Sequence, residues 1–267
     1  MSIRDDEVRI PVDGTELYGT LIVPAQRRPG VLFVHGWGGS QEQYRARARA
    51  VAALGCSCLV FDLRGHARDE LAQATVSREQ NLADIVAAYD CLRAHESIDP
   101  DLITVVGSSY GGYLAAILTE TRSVRALALR VPALYEDVGW MMPKLQLHRE
   151  QDLPAYRRRV VTPDENRALR ACAAFQGDVL LVESEYDELI PPQVIKSYKE
   201  ACVKARTLTY RRIDGADHGL TSPTAQHDYT LLLSTWLKEV LFGARKVPPP
   251  PHHIASSPES PPQELTR

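Results

Sequence analysis

No stretch of the 267 residues approaches the roughly 20 consecutive apolar residues of a membrane span. The first ten residues carry Arg4, Asp5, Asp6, Glu7 and Arg9 and have no apolar core of a secretory leader, so no membrane span and a cytoplasmic location are expected. Cysteine is scarce. Cys56, Cys58, Cys91, Cys172 and Cys202 are odd in number and show neither C-x-x-C nor Cys/His ligand spacing, which excludes a disulfide framework and a zinc site as expectations. Cys56 and Cys58 alternate onto one face of a strand-like run and read as buried, reduced thiols, which suit the cytoplasm. Positive charge is not gathered into a stripe, and the formal net charge of -3 gives no broad attraction to nucleic acid or anionic lipid, so neither is expected as a partner. Internal repeats are absent too.

What remains is a chain with 44% hydrophobic residues, enough to bury one substantial core. Strand-like runs fall at Leu17–Val23, Val31–Val34, Ser57–Phe61, Leu102–Val106, Ala126–Leu129, Val179–Ser184 and Thr207–Ile213. Helix-like segments at Gln41–Leu54, Asn81–Leu92, Tyr113–Leu118, Gln193–Val203 and Tyr229–Phe242 alternate with them, and a Pro-containing turn is read at Asp99-Pro100. Such alternation implies an α/β fold, a mostly parallel sheet covered by helices on both faces. Residues 247–267 are rich in Pro and Ser and read as a disordered tail.

The most informative stretch is Gly107-Ser108-Ser109-Tyr110-Gly111-Gly112. It sets Gly-x-Ser-x-Gly between the strand of Leu102–Val106 and a helix, which is the context of a nucleophile elbow. A turn this sharp needs small residues at its flanks, which Gly107 and Gly111 supply, and it holds Ser109 rather than Ser108 at the tip. Because the turn opens a helix, the Tyr110 amide is available to a negative oxygen formed beside Ser109. A second glycine-rich loop, His35-Gly36-Trp37-Gly38-Gly39, follows the strand of Val31–Val34, and a third, Asp214-Gly215-Ala216-Asp217-His218-Gly219, follows that of Thr207–Ile213.

Together these segments resemble the α/β-hydrolase family over about residues 8 to 242. The resemblance implies an α/β-hydrolase fold with a small cap insertion: one domain over 1–246 with the cap at about 131–176. It implies that Trp37 and Tyr110 contribute the oxyanion-hole amides and that His35 braces the first loop. It places the acid in the loop after the strand of Val179–Ser184, where Asp187 is the match, with Glu183, Glu185 and Glu188 as nearby rivals. His218 then follows serine and acid in the chain order of the fold. Phe61-Asp62-Leu63-Arg64-Gly65-His66 matches a family turn that supports the site. The pairing of His-Gly-x-Gly-Gly with Gly-Ser-Ser-x-Gly-Gly is closest to compact serine esterases and the hydrolase domains of acylaminoacyl- or dipeptidyl-peptidases. The lack of a preceding propeller-like segment favours the esterase.

The chemistry implied is acyl transfer: His218 takes the Ser109 proton, Asp187 orients the imidazole, and no metal or organic cofactor is required. Dehalogenase chemistry would need a carboxylate at Ser109. The expected substrate is a small-molecule carboxylic ester with a small to medium acyl or aromatic group. A thioesterase or small-peptide hydrolase would use the same residues, and a non-catalytic binding protein would not need all of them. In the apolar start of the cap, Tyr135, Trp140 and Met141 are the expected pocket wall, while Arg157-Arg158-Arg159 reads as a solvated face. The sequence is compatible with a homo-oligomer.

Overall fold

The computed structural model describes residues 3–24 and 28–243, so the expected tail of 247–267 lies outside the described residues. Among these, eight strands form one sheet: β1 (Ile3–Val12), β2 (Thr15–Pro24), β3 (Arg28–Val34), β4 (Ser57–Phe61), β5 (Ile98–Ser108), β6 (Ala126–Arg130), β7 (Asp178–Tyr186) and β8 (Thr207–Asp217). Their order is β1-β2-β4-β3-β5-β6-β7-β8; β1 and β2 run antiparallel to their neighbours and the other strands are parallel. The α-helices are α1 (Glu42–Ala52), α2 (Arg78–Ala94), α3 (Tyr110–Leu118), α4 (Lys144–Glu150), α5 (Leu153–Arg157), α6 (Arg167–Ala174), α7 (Pro192–Ala201) and α8 (Pro223–Phe242), with a 3-10 helix at Ala67–Ala74.

The period of two along each strand divides the core. Leu32 and Val34, Leu59 and Phe61, and Leu127 and Leu129 face a layer that holds α2, α3, α6 and α7. Val31 and Phe33, Cys58 and Val60, and Ala126 and Ala128 face the layer of α1 and α8. Strands buried on both sides read as continuous apolar runs, as in β4 and β6 where every residue is buried. Helix α2 begins in a capping box: Ser77 Oγ accepts from the Gln80 amide (3.2 Å), and Gln80 Oε1 accepts from the Ser77 amide (3.0 Å).

Three features differ from the sequence expectations. Strand β1 pairs with β2 over ten residues although its sequence, IRDDEVRIPV, alternates charge with few apolar positions. As an edge strand, most of it stays in water, so it has no apolar run to betray it. Asp99-Pro100 lies inside β5 rather than in a turn, at the register shift where β3 passes from Pro29 to Gly30. An irregular junction has room for a residue without an N–H. Finally, α6 belongs to the helix layer, packing on α3 and α7, so the irregular part of the expected cap ends at Asn166, whose side chain caps α6.

Backbone packs tightly against backbone at the crossing of β3, β5 and α3. A Cβ on Gly111 would lie 2.5 Å from the Val34 carbonyl oxygen and closer still to that of His35, and one on Gly107 would lie 2.5 Å from the Gly111 carbonyl. All of these obstacles are backbone. Gly111→Ala is therefore expected to lower stability by about 3 kcal/mol or more, read as a fall in the urea midpoint, with little soluble protein as the extreme result.

Candidate active site

In an open parallel sheet, the loops at the carboxyl ends of the strands form the crevice where ligands bind. Here four such loops converge: Gly36 after β3, Ser109 after β5, Asp187 after β7 and His218 at the end of β8. Ser109 has φ 52° and ψ -119°, in a region that side chains rarely occupy. Its strain is held by backbone on all sides: the Ser109 amide donates to the Arg130 carbonyl (2.9 Å), and its carbonyl accepts from the amides of Tyr113 and Ala133 (3.0 Å each). The hydroxyl is left to the cleft.

Ser109 Oγ lies 3.1 Å from His218 Nε2, and His218 Nδ1 lies 2.7 Å from Asp187 Oδ2. The other oxygen of Asp187 accepts from the amides of Leu189 (2.9 Å) and Ile190 (2.8 Å), so the carboxylate is held in place on both oxygens. None of its rivals approaches the imidazole in this way: Glu183 accepts from the Tyr210 hydroxyl, Glu185 from the Gly215 amide, and Glu188 is exposed.

The loop after β3 is braced from below. His35 is buried, and its Nε2 accepts the Leu63 amide at 3.1 Å. An amide N–H only donates, so the ring proton sits on Nδ1 and is donated to the Gly36 carbonyl at 2.7 Å. Burial first, then the neighbouring charge of His66, lowers the His35 pKa from 6.5 to about 3. The unfolded chain therefore binds a proton that the folded chain refuses, and this contribution to stability is complete above pH 6.5 and lost as pH falls toward 3. His35→Gln is expected to flatten the pH dependence of unfolding free energy over that window, measured by urea titrations at successive pH values.

The Asp62–His66 turn serves the same loop. Arg64 pairs with the buried Asp84 (2.6 Å) and Asp13 (2.9 Å); Asn81 donates to the Arg64 carbonyl and accepts from the Tyr110 hydroxyl at 3.0 Å. Above it, Trp37 meets His66 and Tyr110 edge to face at 4.7 and 5.5 Å. Lys144, at the start of α4, is buried with Nζ 3.9 Å from the Trp37 ring centroid and 5.0 and 5.2 Å from those of Tyr110 and Tyr135. Burial, then Arg157 and Arg78, lowers its pKa to about 6, while the three ring faces favour the cation.

The cleft at Ser109 measures about 610 Å³, and Gly36–Gly39, Arg47, Ser109, Arg130 and His218 are among its walls. Tyr135, Trp140 and Met141 do not line it. Tyr135 is buried against Tyr110 and Tyr113, and Met141 is 73% exposed. Trp140 stacks on Tyr113, and the guanidinia of Arg78 and Arg167 lie 4.9 and 4.8 Å from its ring centroid. The apolar start of this segment packs down onto α2 and α3 instead of walling the cleft. Trp140→Ala is accordingly expected to cost about 2 to 3 kcal/mol of stability and to leave the ranking of substrates by acyl length unchanged, measured by thermal unfolding beside kcat/KM. Two cleft residues had no sequence motif to mark them, Arg47 and Arg130. The available hint was a lone arginine closing the apolar strand Ala126–Arg130.

A family model described as alpha/beta hydrolase fold matches residues 29–171. The uncharacterized protein Rv2307c of Mycobacterium tuberculosis is 27% identical over 192 residues, 71% of this chain and 63% of that protein, so the chain spans less than two thirds of that relative's length. The alpha/beta hydrolase domain-containing protein WAV2 of Arabidopsis thaliana is 24% identical over 216 residues, 77% of this chain and 69% of that protein. Among solved structures, a dienelactone hydrolase from Anabaena variabilis superposes with TM-score 0.65 at 23% identity, covering 90% of this chain and 99% of that one. The Pyrococcus furiosus esterase Pf2001 superposes with TM-score 0.66 at 18% identity, covering 90% and 92%. The fold and the match over more than half its length agree: the chain belongs to the alpha/beta hydrolase fold family.

Proposed function

We propose that the protein is a serine hydrolase that cleaves carboxylic esters through an acyl-enzyme. The observation that carries this reading is the continuous relay from Ser109 Oγ to His218 Nε2 (3.1 Å) and from His218 Nδ1 to Asp187 Oδ2 (2.7 Å). With the Nδ1 proton held by the carboxylate, Nε2 is left as the base. It takes the hydroxyl proton as Ser109 Oγ bonds to the acyl carbon, then returns that proton to the departing alcohol oxygen as the ester C–O bond breaks. Water repeats the sequence on the acyl-enzyme, giving its proton to Nε2 and leaving the acid product and free Ser109.

The negative oxygen of each tetrahedral intermediate falls to the amides of Tyr110 and Trp37. Tyr110 opens α3, whose first-turn N–H groups have no carbonyl within the helix, and the Trp37 amide makes no backbone hydrogen bond among the described residues. Each such donor is worth about two to three orders of magnitude in rate. Named neighbours of this fold include an esterase and a dienelactone hydrolase beside a dipeptidyl aminopeptidase, so they are compatible with ester cleavage and leave the ranking of esters against amides to the substrate panel.

The test is labelling by a fluorophosphonate probe, located on Ser109 by peptide mass spectrometry, together with a panel of ester, thioester and peptide substrates of graded acyl length. Stoichiometric labelling with ester turnover supports the reading. Faster thioester or peptide turnover replaces its substrate class, and absence of both labelling and turnover rejects it.

A further inference from the structure

The cleft that holds Ser109 also holds two buried guanidinium groups with no carboxylate partner. Arg47, from α1, and Arg130, at the end of β6, are 9% and 6% exposed. Neither forms an ion pair among the described residues. Arg130 spends its donors on neutral acceptors: Nε on Ser108 Oγ (3.3 Å), one terminal nitrogen on Ser184 Oγ (3.3 Å) and the other on the His218 carbonyl (2.8 Å). A guanidinium carries more N–H groups than these three bonds use. Arg47 is freer. Its Nε donates to Thr230 Oγ1 at 3.3 Å, its planar head lies over the rings of Tyr229 and Tyr44 at 4.6 and 5.6 Å, and its two terminal nitrogens have no hydrogen-bond partner among the described residues.

Burying positive charge without a counter-charge is costly, and two such charges facing one cleft repel each other. The acidic residue on the cleft wall is Glu42, whose carboxylate turns to Arg45 at 3.2 Å, and Asp187 is committed to His218. Stacking between Tyr44 and Tyr229 fixes Arg47 with its donors unspent, which is the arrangement that receives a planar anion with little further ordering. Arg130, through its bond to the His218 carbonyl, ties this charge to the loop of the base.

We propose that Arg47 and Arg130 form an anion subsite, so that the substrate is an ester bearing a second, carboxylate group. The ester half of the inference and its kinetic test rest on the hydrolase reading of the same cleft, whereas the anion subsite itself does not. Its test compares carboxylate esters with uncharged counterparts of the same shape. One pair carries the charge on the acyl side, p-nitrophenyl hydrogen glutarate against its methyl ester. The other carries it on the leaving group, 4-carboxyphenyl butyrate against 4-carbamoylphenyl butyrate.

At least one pair is expected to favour the acid by about ten- to hundredfold in kcat/KM, mostly through KM, as suits a charge-assisted hydrogen bond. The pair that does so identifies the side of the ester that carries the carboxylate. Raising salt from about 0.05 to about 0.5 M should shrink the preference. In Arg47→Gln the acid-to-neutral ratio should fall by about tenfold or more, and Arg47→Lys should restore part of it. Melting curves of both variants show whether they are folded, and the wild-type ratios stand without them.

If neutral esters turn over and neither pair favours the acid, the subsite is refuted and the hydrolase reading survives. If nothing turns over and Ser109 is not labelled, the hydrolase reading fails and the subsite is judged by calorimetric titration with monomethyl glutarate. Binding that Arg47→Gln weakens supports it, whereas no binding, or binding indifferent to Arg47, overturns it.

Discussion

Ser109→Ala is expected to abolish fluorophosphonate labelling and to lower kcat by about six orders of magnitude, while the melting temperature stays near that of the wild type. Both halves follow from the local geometry. The hydroxyl that meets His218 at 3.1 Å is the atom removed, whereas the backbone bonds of residue 109 to Arg130, Tyr113 and Ala133 do not depend on it. Alanine at φ 52° carries the same strain as serine. Glycine would not, so Ser109→Gly should be as inactive and more stable by about 1 kcal/mol. Ser108→Ala makes the necessary contrast. The Ser108 hydroxyl is buried and accepts from Arg130 Nε at 3.3 Å, so its loss loosens a guanidinium without touching the relay and should cost about tenfold or less. Equal losses at 108 and 109 would overturn the assignment.

The sequence is legible where local rules and global structure demand the same residue. Gly107 and Gly111 are readable because backbone crosses backbone there, and no side chain fits. His218 is readable because a glycine-rich loop after a strand places a side chain at the crevice, and chain order does the rest. Legibility fails where a side chain's meaning depends on what lies opposite. Trp140 reads equally well as a pocket wall or as a platform for guanidinia, and only the arrival of Arg78 and Arg167 from elsewhere in the chain decides it. Arg47 sits on a helix with Arg45 and Arg49, which pair with Asp5 on β1, and nothing in the run QYRARARA says which arginine turns inward. The direction comes from Tyr229, on α8, whose ring lies under it. Strand β1 is hidden for the opposite reason: an edge strand needs a partner more than it needs a core.

The second large effect is expected from Asp187→Asn, and here the structure dictates how the substitution fails. An asparagine at this position must choose which end of its amide faces which neighbour. Oδ1 of Asp187 accepts two backbone N–H groups, from Leu189 and Ile190, and only the amide oxygen can take that place. The amide nitrogen is therefore forced into the position of Oδ2, 2.7 Å from His218 Nδ1, where it donates. Nδ1 must then be the bare nitrogen, and the ring proton moves to Nε2. That proton points at Ser109, so the imidazole donates to the hydroxyl it should deprotonate. A fall in kcat of about four orders of magnitude is expected, with KM and melting temperature little changed because the bonds to Leu189 and Ile190 survive. Nitrogen-15 spectra of His218 should show the tautomer reversed between wild type and variant. Glu188→Gln, on an exposed residue in the same loop, should be nearly silent. A mild Asp187→Asn, or an imidazole whose tautomer does not change, would mean that the carboxylate is not what orients His218.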